Sequence, residues 1–445
     1  MGKKVKKRKK INYQKIFCFS SFVFILVCIL WYGGRFIYFY LDNHKSLTEL
    51  ESTTFATDLK EANYDSKNLK KINKDYYFYG NVNNNYVSYS NLLWRIVKIN
   101  EDDSVMLITD NIIGNLAYGD ANTSYQDSNL INWLNNDNNG KFTKILNNKE
   151  KYLIETSTCT DTIDNIEKIT CKNNQNNYYL GLLSIKDYLN TGGNNSFINN
   201  NKYNYLANKN SDNEIWYITN EGKIDTTDGK DILGFKATIT LTSKTTIISG
   251  AGTKEDPYKF EDTTGLIGSY VKLAEDTWRI YEEKEGIIKL VLQDTIKDNN
   301  EALKYNYSKN SHYHNTNSYG SLAYYLNNTY YKSLSYKDLI IKNTYSNGIY
   351  NNENNYDYED ISSKTVETKI TVPSIDDIIL NDNITEYFTN TGKTTNSKEI
   401  YIHKNNGFIT SKNVTTENYI VPCISIKREN LKAGSGNYSD PYRTE

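Results

Sequence analysis

The side chains best suited to covalent or metal chemistry are few and scattered: four His and five Cys in 445 residues. Cys159 and Cys171 stand twelve positions apart in STCTDTIDNIEKITCKN (157–173). In an oxidising compartment such a pair closes a loop whose bridge is worth about 3 kcal/mol. Read instead as a nucleophile, Cys159 would need a base within hydrogen-bond reach. The chain has no His between His44 and His312 and no Arg between Arg95 and Arg279, so a disulfide is the expected chemistry. Cys18 and Cys28 fall in an apolar run, and Cys423 lies in the strand-like VPCISI, where burial is expected.

Other constellations are incomplete. His312 and His314 flank Tyr313, an alternation that would put two imidazoles on one face of a strand, but no third ligand follows at a metal-site spacing. Asp225, Asp228 and Asp231 surround Gly229 as in a Ca²⁺ loop without its bidentate Glu, and a hairpin turn is expected. Trp94 beside Arg95, and Trp278 beside Arg279, could stack on a sugar; set in apolar strands, they are expected in the core. No H-E-x-x-H, G-x-S-x-G, Walker or dinucleotide motif occurs. No catalytic, cofactor-binding or metal-binding residue is therefore assigned.

The elements that must position these residues begin with a charge split. Fifty-two basic against 53 acidic side chains give a net charge of −1, which excludes a general nucleic-acid binder. Aromatics at 13%, including 40 Tyr, exclude a disordered chain. Eight of the cations fall within residues 1–15, ahead of any acid, and the remaining chain carries 44 basic against 53 acidic residues, a balance of −9. The apolar stretch 16–41 follows, with Trp31, Tyr32, Tyr38 and Tyr40 near its far end. A helix of about 20 apolar residues spans a bilayer, and the positive-inside rule keeps 1–15 cytoplasmic and sends the rest outside. Bulky residues at nearly every candidate cleavage site favour an uncleaved anchor over a signal peptide. Residues 42–75 are charged and poorly periodic, and read as a stalk.

Beyond the stalk the chain repeats itself. Trp94-Arg95-Ile96 recurs as Trp278-Arg279-Ile280, and Asp256-Pro257-Tyr258 as Asp440-Pro441-Tyr442, both 184 positions on. The order between these anchors is kept. SVMLI (104–108) answers IIKLVL (287–292), and SNLINWLNN (128–136) answers SYGSLAYYLNN (318–328). LLSIKDYLN (182–190) answers VPSIDDIILN (372–381), with Ser184 and Ser374 placed to cap short helices. EIWYITNEGKI (214–224) answers EIYIHKNNGFI (399–409), a hairpin with a glycine turn. Two α+β domains are expected, 76–261 and 262–445.

That order of segments resembles an uncharacterised domain family of Gram-positive surface proteins with the C-type-lectin-like fold shared by formylglycine-generating enzymes. The resemblance covers both repeats and implies two tandem lectin-like α+β domains behind one transmembrane helix. Relatives often carry Trp-Trp-Leu-Arg-Ser where this chain has Ile215-Trp216-Tyr217-Ile218 and Ile400-Tyr401-Ile402, so no role tied to that Arg and Ser carries over. Thr158-Cys159-Thr160 faintly resembles a sortase segment, but the upstream His and downstream Arg of that chemistry are missing. Formylglycine-generating chemistry needs paired Cys late in the fold, and Cys423 stands alone there.

The resulting expectation is a non-catalytic, membrane-anchored surface protein without cofactor. Its partners would be the membrane through one helix and a cell-wall polymer, a glycan or a surface protein, with no nucleic acid. The alternative is an extracytoplasmic envelope enzyme or accessory factor. Ligand contacts are expected from tyrosines in long polar loops: Tyr118, Tyr125, Tyr203, Tyr205, Tyr313, Tyr350 and Tyr356.

Overall fold

The computed structural model describes residues 30, 31, 33–35, 53–136, 141–175, 178–260, 265–311, 320–350, 359–362, 364–381, 384–393 and 398–444. It divides into two units, Met1–Thr53 and Thr54–Glu445. In the first, residues 30, 31 and 33–35 are helical. The expected spanning segment 16–41 lies mostly outside the described residues, and among those no helix is long and apolar enough to cross a membrane.

The second unit is mixed α+β, mostly sheet with short helices. Four strands build the centre of its first half: β1 (Tyr86–Tyr89), β2 (Leu92–Ile99), β3 (Val105–Thr109) and β4 (Thr238–Leu241). Four more build the second: β5 (Tyr270–Leu273), β6 (Asp276–Lys284), β7 (Ile287–Leu292) and β8 (Cys423–Lys427). All neighbours within each set pair antiparallel. Turns with positive φ at Ser90 and Asn91, and at Glu285 and Gly286, match the primed hairpin turns that suit twisted strands.

The register repeats with the sequence. Val87 faces Trp94, and Val271 faces Trp278. A bulge interrupts β2 between Ile96 and Lys98, and β6 between Ile280 and Glu282. Ile108 faces Thr238 where Val291 faces Cys423. Tyr258 bridges Val87 in parallel, and Tyr442 bridges Val271. Both tryptophans are fully buried, as their place in apolar strands requires.

Short helices follow their caps. Ser128 accepts from the Ile131 amide at the start of α2 (Asn129–Asn135), whose Leu130, Ile131, Trp133 and Leu134 are buried. The Asn of each Leu-Asn-Asn motif clamps a backbone segment: Asn135 bonds both N–H and C=O of Leu180, and Asn327 does the same for Ile370. Ser184 caps α3 (Ile185–Asn190). Ser374 starts no helix, contrary to expectation. Asp377 accepts from the Ser374 amide at 2.8 Å, and the chain runs on so that the Ile379 amide reaches Ile113 O in the other half.

Two further expectations need correction. The stalk is folded from Thr54 onward: α1 (Phe55–Ala62) buries Phe55, Ala56 and Leu59, and the hairpin Leu69–Ile72 with Asp75–Phe78 joins the sheet beside β2. An eight-residue helix shows too few apolar positions to stand out from a charged background. The halves are also not separate bodies. Tyr281, Tyr350, Ile378, Tyr387 and Cys423 belong to the same core cluster as Trp94 and Trp133. The second hairpin, Glu399–Lys404 with Thr410–Asn413, drives its tip into the first half. There Asn406 O accepts from the Tyr203 amide at 2.7 Å and Gly407 O from the Gly234 amide at 2.6 Å, while Phe408 packs 5.7 Å from Tyr203.

Candidate functional site

The tyrosines expected to meet a ligand are mostly interior. Tyr118, Tyr125, Tyr205 and Tyr350 are buried. Tyr118 and Tyr205 pack together, Tyr205 donates to Asp231 O at 2.8 Å, and Tyr125 and Tyr350 accept from the amides of Leu182 and Ala117. Each uses its ring as core, and Tyr125, Tyr205 and Tyr350 also use the hydroxyl as a clasp on backbone, which removes them from a ligand-contact role in this conformation. Tyr203 is half-buried under Phe408 at the junction. Tyr313 and Tyr356 lie outside the described residues, as do His312 and His314.

Cys159 and Cys171 are joined in a disulfide with Cα atoms 5.7 Å apart, and Cys423 is free and buried. Asp161 lies beside the bridge, its carboxylate and both sulfurs within 4.8 Å of one another. With the sulfurs bonded to each other, no thiolate is on offer to a metal. Asp161 instead accepts from the amides of Lys172 and Asn173, which hold its carboxyl below its usual range against the opposing effect of burial. In the acidic hairpin, Asp231 accepts from the Thr227 hydroxyl and Asp228 from the Lys230 amide, as a turn requires.

The most chemically loaded place is the junction. A cleft of ≈ 940 Å³ opens there, lined by Lys141 and Ile145 of the first half and by Glu283, Asp377, Ile378 and Arg428 of the second. Lys141 forms an ion pair with Asp376, which is fully buried, and lies 3.6 Å from Asp377. Trp133 fixes the acidic segment by donating its indole N–H to Asp376 O at 3.0 Å. Burial, with Asp376 alongside, pushes the Asp377 carboxyl up to about 6 even though Lys141 and Lys289 pull it down. Burial works against the Lys141 ammonium too, but its two carboxylates hold it above its ordinary value.

The first half contains the matching arrangement in a different charge pattern. Asp187 stands in Ser184-Ile-Lys-Asp as Asp377 stands in Ser374-Ile-Asp-Asp. Asp187 pairs with Lys98 of β2 at 3.0 Å, and Tyr77 donates to it at 2.8 Å. Burial opposes both charges, and their pairing outweighs it: Lys98 is held above and Asp187 below its ordinary value. The position matching Lys98 on β6 is Glu282, which instead pairs with Lys289 of β7 at 2.9 Å. Asp377 thus has no lysine at the position of Lys98; Lys289, paired with Glu282, acts on it from its own half, and Lys141 joins from the other. The Lys98–Asp187 pair borders a smaller cleft of ≈ 500 Å³ that also exposes the disulfide and Glu155.

None of these charged residues was singled out from the sequence. The aligned Ser-Ile-Lys-Asp and Ser-Ile-Asp-Asp carry a signal, of which helix capping accounts for the serines alone. Lys141 has no counterpart motif at all. Set against family models, curated proteins and solved structures, the chain matches none.

Proposed function

We propose that this chain is a membrane-anchored bacterial surface protein whose extracellular part is a non-catalytic binding module for a cell-wall polymer, a glycan or another surface protein. The junction cleft carries the reading. Its walls come from both halves, and the backbone bonds at Asn406, Gly407 and Ile379 hold those walls in place before any ligand arrives. A preformed cleft avoids the ordering cost that a flexible site incurs on binding. The disulfide supports an extracytoplasmic location, since such bridges persist in oxidising compartments. The charge asymmetry of 1–15 supports the orientation. We read each half as a lectin-like α+β domain on the order of its segments.

Detergent-solubilised full chain should co-sediment with purified cell walls. Lys284→Glu with Arg428→Glu, at the exposed rim of the cleft, should weaken this about tenfold without shifting the urea midpoint. Undiminished sedimentation would remove the cleft as the binding surface. One observation favours an enzyme as second reading: Asp377, near 6 in a cleft, is poised as a general acid. Turnover of a peptidoglycan or peptide substrate that Asp377→Asn abolishes would establish it.

A further inference from the structure

A separate concavity of ≈ 520 Å³ opens on the first half, between the loop at 81–83 and the segment 194–200. Its lining is dominated by amides, among them Asn81, Asn83, Asn111, Asn195 and Asn200. Arg95 and Phe197 form a buried floor.

The floor is built with care. The Arg95 guanidinium lies 3.8 Å from the Tyr86 ring centroid and 4.8 Å from that of Phe197. It donates from Nε to Asn85 Oδ1 at 2.7 Å, from Nη2 to Val82 O at 2.5 Å and from Nη1 to Asp110 Oδ1 at 3.4 Å. These bonds use three of its five N–H donors and fix the plane of the group. The walls are pinned to one another: the Phe197 amide donates to Gly80 O at 2.9 Å, and the Asn200 side chain donates to Asp110 O and Asn111 Oδ1. At the mouth, Asn81, Asn83 and Asn195 are exposed, and their side chains bond no other described residue.

The second half has the same pair and uses it differently. Tyr270 lies under Arg279 as Tyr86 lies under Arg95. Arg279, however, spends its donors on Gly268 O at 2.7 Å, Leu380 O at 3.1 Å and Asn91 O of the first half at 3.2 Å. One copy of the duplicated Tyr–Arg platform bolts the halves together. The other faces an open, amide-lined groove.

We infer that the groove over Arg95 is a saccharide-binding site that takes a neutral, hydroxyl-rich sugar unit. Each primary amide offers donors and an acceptor side by side, which matches a vicinal pair of sugar hydroxyls. Asp110 offsets the charge of Arg95, so the buried floor demands no anion of its ligand, and Lys254, exposed at the rim, adds a donor to the amides. Asn83 and Asn195 supply free amides from opposite walls, and Asn111 with Asn200 supplies oriented ones. This goes beyond the surface-binding reading, because the groove shares no lining residue with the cleft.

The test is calorimetric titration of the detergent-solubilised full chain with cellotetraose, maltotetraose and chitotetraose. Saturable binding of at least one is expected, weakened at least tenfold by Asn83→Ala with Asn195→Ala. The two amides have no role in the fold, so the double variant should keep the wild-type urea midpoint. No binding of any of the three by folded protein would overturn the inference, as would binding untouched by the double variant. Binding of only a carboxylated polymer or a peptide would overturn it too. Cell-wall binding that depends on Lys284 and Arg428, with no tetrasaccharide binding, would sink the groove while leaving the surface-binding reading intact.

Discussion

Lys141 reaches across the junction to within 3.6 Å of Asp377, although Asp377 belongs to a repeat whose twin aspartate is satisfied inside its own half. The difference traces to one position. Where β2 has Lys98, β6 has Glu282, and the lysine of the second half has moved to the neighbouring strand as Lys289. Lys289 acts on Asp377 from the same half while engaged with Glu282, and the other half adds Lys141. The junction is therefore specified by charge as well as by the apolar core.

Removing Lys141 should consequently cost more than an ordinary surface substitution. Lys141→Met is expected to lower the unfolding free energy by about 3 kcal/mol at pH 7, since it leaves buried carboxylates uncompensated. Adding Glu282→Lys, which restores the charge pattern of the first half, should recover about 1 kcal/mol of that loss. Urea titrations of the single and double variants read the coupling directly. A double variant no better than Lys141→Met would show that the swap of Lys98 for Glu282 does not explain the junction.

The pH dependence has a definite sign. Asp377 titrates near 6 in the folded chain against an ordinary 3.8. Between those values the native state keeps a proton that the unfolded chain releases, so this group makes stability fall as pH rises through the window. Asp377→Asn removes the penalty. The variant should match wild type near pH 4 and exceed it above pH 6, by about 2 kcal/mol. Urea midpoints that differ by the same amount at both pH values would contradict the assignment.

The repeat was readable because strands carry their register in apolar and turn residues: Trp94 and Trp278, the two Asp-Pro-Tyr turns and the paired hairpins all recur in space as in sequence. The tyrosines misled because loop residues in an Asn-rich chain look solvated, whereas Tyr118, Tyr205 and Tyr350 reach inward, and the last two clasp backbone groups away in sequence. Packing of this kind has no local period. The charged cleft was unreadable for a related reason: Lys141 and Asp377 are 236 positions apart, and nothing near Lys141 announces its partner. Phe408 at the hairpin tip, matched by Lys223 in the first half, was the one local hint that the second hairpin plugs into something apolar.

The Cys159–Cys171 bridge closes a loop already organised by Asp161, so its removal should destabilise without disordering the rest. Cys159→Ser with Cys171→Ser is expected to cost about 3 kcal/mol of unfolding free energy under non-reducing conditions. Peptide mapping of the wild type should find Cys423 unmodified until the chain unfolds, because it is buried in β8 and burial raises its thiol pKa. Rapid alkylation of Cys423 in native protein would refute its place in the core.

Protease added to intact cells should remove the folded unit and spare residues 1–15, as the positive-inside rule requires. Recovery of a soluble form in the medium with a new N-terminus near Gly34 would identify a cleaved signal peptide in place of an anchor.

Gly407 offers the most direct test of the plug. Its φ of +79 is left-handed, and a Cβ there would stand 2.6 Å from Tyr203 O, which belongs to rigid backbone. Gly407→Ala therefore combines backbone strain with a collision that no side-chain motion relieves, and about 2 kcal/mol of destabilisation is expected. The matching glycine of the first half, Gly222, has the same φ, but a Cβ there meets the flexible side chain of Asn199 first. Gly222→Ala should cost less, about 1 kcal/mol, and leave the junction intact. Hydrogen exchange separates the two. Only Gly407→Ala should deprotect the Tyr203 and Gly234 amides, whose acceptors are Asn406 O and Gly407 O. Equal deprotection in both variants would mean that the hairpin tip stabilises its own half and does not hold the two halves together.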